Sequence, residues 1–252
     1  MTGLAGGATP QHGEVALSLE RMNGVENIDE KNMTMTAWAG TPLQALQEAA
    51  LENNLYLPID LGARGSCTIG GNIATNAGGT EVIRFGMTRS SVLGLEAVLA
   101  DGTVVSAMNK MIKNNSGYDL KHLFIGTEGT LGVVSRVVLR LQPRPVSTHT
   151  ALCALKDYGS VISVLNNLKL RLGGGLTGFE LMWANYFDGV IEMVPHLKNP
   201  FSKEHPFYLL LEYKDNDPVL GVERFEDALF SNLENNLLTD ALIAQSNQDA
   251  LG

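Results

Sequence analysis

The sequence has little positive charge and no long apolar run. Its 18 lysine and arginine residues stand against 27 aspartate and glutamate residues, so the net charge is −9. A chain this acidic is a poor candidate for binding nucleic acids or an anionic membrane surface. Its apolar runs fall short of the roughly 20 residues that a transmembrane helix requires, and its start lacks the basic-then-apolar pattern of a signal peptide. We therefore expect no nucleic-acid partner, no transmembrane segment and a cytoplasmic location.

Residues that usually form disulfides or hold metals are also scarce. The two cysteines, Cys67 and Cys153, form neither a CxxC motif nor a zinc-binding spacing, which favours a reducing compartment. No HExxH or GxSxG motif occurs, so zinc hydrolysis and serine hydrolysis lack support. We predict no metal site. We also predict a surface or loop position for each histidine: His12, His122, His149, His196 and His205.

What the sequence has in abundance is glycine, with 27 residues in clusters. Its length of 252 residues and its apolar share of 44% suit one large or two ordinary domains. Thr41 is predicted to cap a helix, with Pro42 first in the helix and Gln44 completing a capping box. The other elements predicted before residue 142 are strands at Glu14–Glu20, Met33–Ala39 and Val133–Leu141, a helix to about Asn53 that buries Leu43, Leu46 and Ala50, and a hairpin of Ser91–Ala100 and Thr103–Ala107 around Asp101-Gly102.

The proline pair in Gln142-Pro143-Arg144-Pro145 marks the predicted domain boundary, which gives domains 1–145 and 146–252. The second domain is predicted to place helices on one side of a sheet, so the fold class of the chain is α+β. Its predicted strands are Thr150–Lys156, Leu176–Met182 and Phe207–Tyr213. One predicted helix is capped by Asp157 and buries Val161, Val164, Leu165, Leu168 and Leu172; the other follows Asp217-Pro218 and buries Val222, Phe225, Leu229 and Leu233.

One segment, Leu61–Thr80 (LGARGSCTIGGNIATNAGGT), carries the chemistry, and it has no charged residue from Gly65 onward. Because glycine has no Cβ, its backbone N–H groups can approach a ligand closely. We predict a short helix over Ile69–Ala77 with its N-terminal amides directed at a phosphate. The segment is neither a P-loop nor a GxGxxG dinucleotide fingerprint. A purely structural glycine-rich corner is the alternative interpretation.

Three longer stretches carry a family resemblance. They are PIDLGARGSCTIGGNIATNAGG, RFGMTRSSVLGLEAVLADGTVV and NNSGYDLKHLFIGTEGTLGVVSRVVLRLQPRP, in this order. Together they resemble the FAD-linked oxidase family, whose FAD domain is of the vanillyl-alcohol oxidase and p-cresol methylhydroxylase type. The likeness is greatest to its D-2-hydroxyacid branch, which contains D-2-hydroxyglutarate dehydrogenase, D-lactate dehydrogenase and the FAD subunit of glycolate oxidase. The opening TGLAGGATP resembles the end of the family's first phosphate loop, and FELMW (Phe179–Trp183) resembles the start of its substrate cap.

The resemblance implies an FAD site built from three glycine-rich segments, with the cofactor bound non-covalently because the first has no histidine. Pro58 is expected to shape the entry to the second segment. The first glycine segment maps onto Thr2, Gly3, Leu4, Ala5, Gly6 and Gly7. The second maps onto Gly65, Ser66, Thr68, Ile69, Gly70, Gly71, Asn72 and Thr75, with Gly78 and Gly79 on the flavin side. The third, along the adenosine half, maps onto Gly126, Glu128, Gly129, Gly132 and Val133. Glu128 is a ligand contact or a buried structural acid.

The resemblance also implies a reaction. FAD would accept a hydride from the carbon that bears a hydroxyl group next to a carboxylate, while the protein binds the carboxylate and removes the hydroxyl proton. Arginine and histidine suit these two tasks. In this branch they lie in W-x-L-R-E-like and GHxGDGNxH-like motifs, and the sequence stops at Asp249-Ala250-Leu251-Gly252, where the first would begin. We therefore assign no catalytic residue.

These observations lead us to expect a chain truncated at both ends, since Met1 stands about where the family's P-Q-G-G-N lead-in ends. The strands Thr150–Lys156 and Phe207–Tyr213 would then lack sheet partners. We expect poor stability of the isolated chain, and weak FAD binding or none. Three functions stay open: part of an FAD-dependent D-2-hydroxyacid dehydrogenase, a non-catalytic flavin-binding remnant, or an NADPH-dependent enolpyruvate reductase. The expected partners are a 2-hydroxyacid, an electron acceptor, and a second copy or a partner subunit.

Several single residues near these segments receive structural rather than catalytic interpretations. Asp119 is predicted to be a helix N-cap, and Cys67 a small packing residue. Trp183 and Tyr186 are predicted to serve packing. The three arginines that flank the flavin loops are expected to make solvated or structural pairs: Arg64, Arg84 and Arg89.

Overall fold

The structure is a computed structural model that describes residues 2–194 and 197–245. His196 and the segment from Asp249 to Gly252 lie outside the described residues. The chain divides into two compact units. Unit 1 contains the residues up to Glu81 together with Phe85–Arg144. Unit 2 contains Val82–Arg84 together with the residues from Pro145 on. Among the described residues, no helix is long and apolar enough to cross a membrane.

Unit 1 is built on a five-stranded antiparallel sheet with the order β1-β2-β6-β4-β5, beside a two-stranded sheet of β3 and β7. Its strands are β1 (Val25–Asp29), β2 (Thr34–Trp38), β3 (Leu55–Tyr56), β4 (Val92–Val98), β5 (Val104–Ala107), β6 (Val133–Arg140) and β7 (Gln142–Pro143). Its helices are α1 (Leu43–Glu52), α2 (Ile69–Ala74), α4 (Thr88–Ser91) and α5 (Lys121–Phe124). A further one, α3 (Val82–Phe85), lies where the chain passes between the units.

One face of this sheet forms the core of unit 1. Met35, Ala37, Val137, Leu139 and Leu95 alternate along β2, β6 and β4 toward that face, and all are at most 1% exposed. The helices α1 and α2 cover it with the buried side chains Leu43, Leu46, Ala50, Ile69 and Ile73. Burying each such aliphatic side chain contributes about 1.5–3 kcal/mol, so α2 is held by its two isoleucines although it is only six residues long.

Most predicted elements of unit 1 are confirmed. The strands β2 and β6, the hairpin β4–β5 and the inward face of α1 lie where the sequence indicated. Two predictions are wrong. Glu14–Glu20 forms no strand, because its alternating apolar residues Val15 and Leu17 are 93% and 70% exposed. Thr41 does not cap α1, because its hydroxyl group donates to the Trp38 carbonyl and accepts from the Gly24 N–H.

Unit 2 is a four-stranded antiparallel sheet with the order β11-β8-β10-β9 and three α-helices among its described residues. Asp157 caps α6 as predicted, accepting a 2.7 Å hydrogen bond from the Ser160 N–H. Gly173–Gly175 forms a short 3-10 turn at the end of α6, in line with the predicted helix stop. The elements are β8 (Ser147–Leu155), α6 (Tyr158–Leu172), β9 (Leu176–Trp183), α7 (Ala184–Met193), β10 (Phe207–Asp215), α8 (Leu220–Glu234) and β11 (Asp240–Ile243).

The sheet of unit 2 corrects three predictions. The strands near Thr150–Lys156 and Phe207–Tyr213 have partners on both sides, since β8 pairs with β10 and β11 while β10 pairs with β8 and β9. The helices do not all lie on one side of the sheet, because α6 and α8 share one apolar cluster on one face. Helix α7 belongs to a separate cluster, in which Phe187 stacks on Tyr208 of β10. Val222 is 37% exposed rather than buried.

Candidate functional site

The site begins at the second glycine segment, which enters unit 1 through a buried stretch. Leu57 and Ile59 are 0% and 5% exposed, and Pro58 between them is buried as well. A tight turn follows, in which the Ala63 carbonyl accepts from the N–H groups of Ser66 and Cys67. Cys67 is buried and packs its sulfur 3.7 Å from Asn72 Oδ1, in agreement with its predicted packing role. The turn therefore leaves its outer residues exposed: Gly62, Gly65 and Ser66.

Helix α2 follows, and a glycine fixes its place in the core. A Cβ atom on Gly70 would lie 2.8 Å from the Cβ of Ala39 and 2.9 Å from its carbonyl oxygen, so only glycine allows this contact. The N–H groups of Ile69 and Gly70 donate to the carbonyls of Thr41 and Ala39. The prediction that the first amides of the helix are directed at a phosphate is therefore wrong for these two residues, because their N–H groups already donate to backbone carbonyls of the protein.

The next amide, that of Gly71, is open to a ligand. In the described part of the chain, the Gly71 N–H has no hydrogen-bond acceptor, and neither has the Gly65 N–H. Both residues are exposed, and Thr68 gives the helix no side-chain cap. Two exposed donors without Cβ atoms or neighbouring carboxylates within Gly65–Thr80 fit a diphosphate group. The helix ends at Ala74 rather than Ala77, because Asn76 turns the chain with a φ of 47°.

Two predicted contact residues of this segment are used internally. The Asn72 side chain is 5% exposed and lies beneath the loop against Cys67. The Thr75 hydroxyl group donates to the Gly71 carbonyl at 2.9 Å. Both side chains therefore support α2. Gly78 is exposed, and Gly79 follows it at the exit of the segment.

The third glycine segment caps the other end of α2. The N–H of Gly126 donates to the Ile73 carbonyl at 3.0 Å, and the N–H of Glu128 donates to the Ala74 carbonyl at 2.8 Å. This path needs left-handed backbone conformations at Gly126 and Gly129, and Glu128 between them has a φ of 53°. Gly132 then lies close to β4, because a Cβ there would be 3.0 Å from the Val98 carbonyl oxygen. Val133 begins β6.

The first glycine segment reaches the third. A Cβ on Gly7 would lie 2.8 Å from Oε2 of Glu128, so these two segments are in contact. Glu128 is exposed, which contradicts its interpretation as a buried structural acid. Leu4 is fully exposed at 104%. Gly3, Ala5 and Gly6 are exposed as well, and Thr2 is partly exposed. The three glycine segments thus meet around α2.

The charged residues near these segments bind protein groups. Arg64 pairs with Asp60 at 2.8 Å, and Arg89 donates to the carbonyls of His122 and Ile125. Arg84, which belongs to unit 2, donates to the Lys214 carbonyl. These contacts agree with structural pairing of all three arginines. The predicted N-cap at Asp119 is wrong, because its carboxylate pairs with Lys121 and His122 and not with a helix N-terminus.

The sequence patterns did not point to Tyr56 before the second segment or to Glu81 directly after it. The Tyr56 hydroxyl group donates to Oε1 of Glu81 at 2.6 Å, and Glu81 is only 3% exposed. The one available signal was that Glu81 is the first charged residue after the uncharged stretch Gly65–Thr80. Among the described residues, no group of three or more histidine, cysteine, aspartate or glutamate side chains could hold a metal ion.

His149 and Tyr186 of unit 2 depart from their predicted positions. His149 lies in β8 rather than at the surface, with its ring stacked on Tyr213 and Phe225 at centroid distances of 6.2 and 6.0 Å. Burial lowers the pKa of His149, and the charges of Asp215 and Glu226 oppose that effect. Trp183 packs edge-on against Phe207, as predicted for packing, yet it is 53% exposed. Tyr186 is 62% exposed and lines a shallow depression beside Trp183.

Two family models match this chain. The FAD binding domain matches residues 1–108, and the C-terminal domain of FAD linked oxidases matches residues 144–251. Among curated relatives, D-2-hydroxyglutarate dehydrogenase, mitochondrial, from Arabidopsis thaliana is 41% identical over 97% of this chain and 44% of its own length. D-2-hydroxyglutarate dehydrogenase from Xanthomonas citri is 40% identical over 99% of this chain and 52% of its own length. A putative mitochondrial D-lactate dehydrogenase from Schizosaccharomyces pombe is 35% identical over 97% of this chain and 46% of its own length.

Solved structures add a likeness of fold. A structure of alkyldihydroxyacetonephosphate synthase matches with a TM-score of 0.73 and 17% identity over 91% of this chain and 44% of its own. A second structure of the same synthase matches with a TM-score of 0.69 and 18% identity, over 92% of this chain and 43% of its own. The chain spans about half the length of the curated relatives it matches.

Proposed function

We propose that this chain, which two models of FAD-linked protein families match, contributes the FAD site and the start of the substrate domain to a dehydrogenase of D-2-hydroxyacids. The reaction converts the 2-hydroxyacid to the 2-oxoacid, with the C–H hydrogen leaving as hydride and the hydroxyl hydrogen leaving as a proton. We place the FAD domain at residues 1–145 and the first part of the substrate domain at 146–252.

One observation carries this proposal: the three glycine segments meet around α2. The exposed N–H groups of Gly65 and Gly71 would bind the diphosphate of FAD without a cationic side chain. The third segment caps the other end of α2, and Gly7 contacts its Glu128. The N–H groups of Gly65 and Gly71 fit a diphosphate because both are exposed and neither glycine has a Cβ atom in the way.

Bound FAD would supply the two-electron acceptor for the oxidation. In this scheme the chain's own residues bind and orient the diphosphate. No arginine or histidine of the chain is assigned a catalytic role. The names of relatives at about 40% identity favour D-2-hydroxyglutarate as substrate. D-lactate is the second candidate, because the Schizosaccharomyces pombe relative is named as a putative D-lactate dehydrogenase.

The test is an absorption spectrum of the purified chain loaded with FAD, recorded before and after anaerobic addition of D-2-hydroxyglutarate. Bleaching of the flavin bands supports the dehydrogenase, and L-2-hydroxyglutarate serves as the matched control that leaves them unchanged. Bands that persist with D-2-hydroxyglutarate and with D-lactate would support the non-catalytic flavin-binding remnant for this chain. NADPH-dependent bleaching would instead support the enolpyruvate reductase.

Partners and location complete the proposal. The protein would pass its electrons to an acceptor, and it would work as a homodimer or with a partner subunit. Both cysteines are free and buried in the structure, which suits a reducing compartment such as the cytoplasm. The plant and mammalian relatives carry the word mitochondrial in their names, so a mitochondrial compartment is the competing location. Cell fractionation with detection of the chain distinguishes the two.

A further inference from the structure

We propose that Tyr56 and Glu81 form a clamp that closes the second glycine segment and positions it for FAD. This inference deepens the proposed function and rests on it for the identity of the ligand. The clamp joins the residue just before the segment's entry to the residue just after its exit. Neither residue lies in the glycine motifs that the sequence resemblance assigned to the cofactor.

The geometry of the bond makes it a strong one. The Tyr56 hydroxyl group donates to Glu81 Oε1 at 2.6 Å, at the short end of the range for O–H···O hydrogen bonds. The Glu81 side chain belongs to a residue that is 3% exposed, so water does not readily replace a lost partner. Removing a hydrogen-bond partner from a buried polar group carries a desolvation cost. The tyrosine hydroxyl is therefore one of the groups that hold Glu81 in place.

A second contact lies beside the clamp. A Cβ on Gly79 would fall 1.6 Å from the Asp60 carbonyl oxygen, so the backbones of these two residues touch. The chain leaving the segment at 79–81 is thus joined to the chain entering it at 56–60 at two points. Gln47 also fixes the entry side, because its amide donates to the Ile59 carbonyl at 2.8 Å.

These contacts add to the bonds that already hold the middle of the segment, where the N–H groups of Ile69 and Gly70 donate to Thr41 and Ala39. Between Asp60 and Gly79 the segment also contains the exposed N–H groups of Gly65 and Gly71, which have no acceptor among the described residues. Joining the ends of a loop removes conformational freedom from everything between them. The clamp therefore reduces the ordering that FAD binding must otherwise impose, and preorganised sites bind more tightly for this reason.

Both ends of the clamp are tied to regular structure. Tyr56 pairs with Gln142 in the small sheet of β3 and β7, and its ring lies 6.3 Å from that of Phe85. The Glu81 carbonyl accepts from the Phe85 N–H in the first turn of α3. The hydroxyl and the carboxyl groups are consequently held toward each other, and Tyr56 and Glu81 are positioning residues that act through the segment between them.

The test compares four variants of the full chain by hydrogen exchange and by FAD titration. Tyr56→Phe and Glu81→Leu remove the bond, and Glu81→Gln keeps an acceptor oxygen. Tyr118→Phe is the matched control, because it removes a hydroxyl group from a side chain that is 96% exposed. In the chain without FAD, we expect amide exchange over residues 61–79 to be about tenfold faster in Tyr56→Phe and Glu81→Leu. Exchange in the β4–β5 hairpin should not change, and Glu81→Gln and Tyr118→Phe should resemble the original chain.

Other exchange results would overturn the clamp. Unchanged amide exchange over residues 61–79 in Tyr56→Phe contradicts the clamp. Equally faster exchange throughout unit 1 would show that the bond stabilises the whole unit and not this segment in particular. The FAD arm tests positioning separately: Kd should rise about tenfold in Tyr56→Phe and stay near the original in Glu81→Gln. Faster exchange with an unchanged Kd contradicts positioning. Absence of FAD binding by the original chain contradicts the proposed function, while the exchange arm still decides the clamp.

Discussion

At the scale of single residues, glycines at close backbone contacts shape the site as much as the larger side chains do. Gly70 lies against Ala39 and Gly79 against Asp60, and these contacts fix α2 and the exit of the second segment. The sequence indicated that glycines cluster there, but it did not distinguish glycines required by packing from glycines that expose donors. That distinction depends on which distant backbone lies beside each one, and no local pattern encodes it.

A pair of alanine substitutions in one segment separates these roles. Gly79→Ala should lower the free energy of unfolding by more than about 3 kcal/mol, because its Cβ would overlap the Asp60 carbonyl oxygen. Gly62→Ala has nothing within 4 Å of the new Cβ and should change stability by less than about 0.5 kcal/mol. Urea denaturation of both variants measures this. Equal stability of the two would contradict the close contact.

His149 makes stability depend on pH. Burial lowers its pKa from the ordinary value of 6.5, so below that pH the folded state binds fewer protons than the unfolded state. The stability that neutral His149 contributes is present above pH 6.5 and is lost as the pH falls through the lower folded pKa. His149→Phe keeps a ring between Tyr213 and Phe225 and removes this loss.

Denaturation measured at about pH 7 and about pH 5 tests the effect of His149. The original chain should lose more stability between the two conditions than His149→Phe does. His12→Gln, which replaces a histidine in an exposed loop, is the matched control. Parallel pH profiles for the original chain and His149→Phe would show that the buried imidazole is not responsible.

At the scale of elements, hydrophobic alternation located strands only where neighbouring strands exist to bury one face. It found β2 and β6, whereas Glu14–Glu20 has the same alternation and stays exposed without a partner strand. Strand β1 was missed because VENID carries mostly polar residues, and its place is set by pairing with β2. Helix α2 was located correctly, but the use of its first two amides by Thr41 and Ala39 depends on tertiary contacts.

The open amide of α2 gives a prediction at this scale. A Cβ on Gly71 would lie 3.5 Å from Thr68 Oγ1, an ordinary contact, so Gly71→Ala should fold as the original chain does. The same methyl group would obstruct a phosphate that approaches the Gly71 N–H. We expect the Kd for FAD to rise at least about tenfold, measured by quenching of flavin fluorescence. Gly62→Ala should leave it unchanged, and equal affinity in both variants would place the diphosphate elsewhere.

At the scale of the whole molecule, each unit has a core of its own. The expectation of poor stability rested partly on strands without partners, and unit 2 supplies partners on both sides of β8 and β10. That reason for weak FAD binding is therefore removed. The chain spans about half the length of its curated relatives, so we expect binding that is measurable but weaker than in a full-length relative.

Titration of the purified 252-residue chain with FAD, followed by visible absorption and fluorescence, tests the cofactor site around α2. We expect saturable binding, with structured flavin bands and an affinity that falls in Gly71→Ala but not in Gly62→Ala. A folded chain that leaves the spectrum of added FAD unchanged would contradict the cofactor site built around α2.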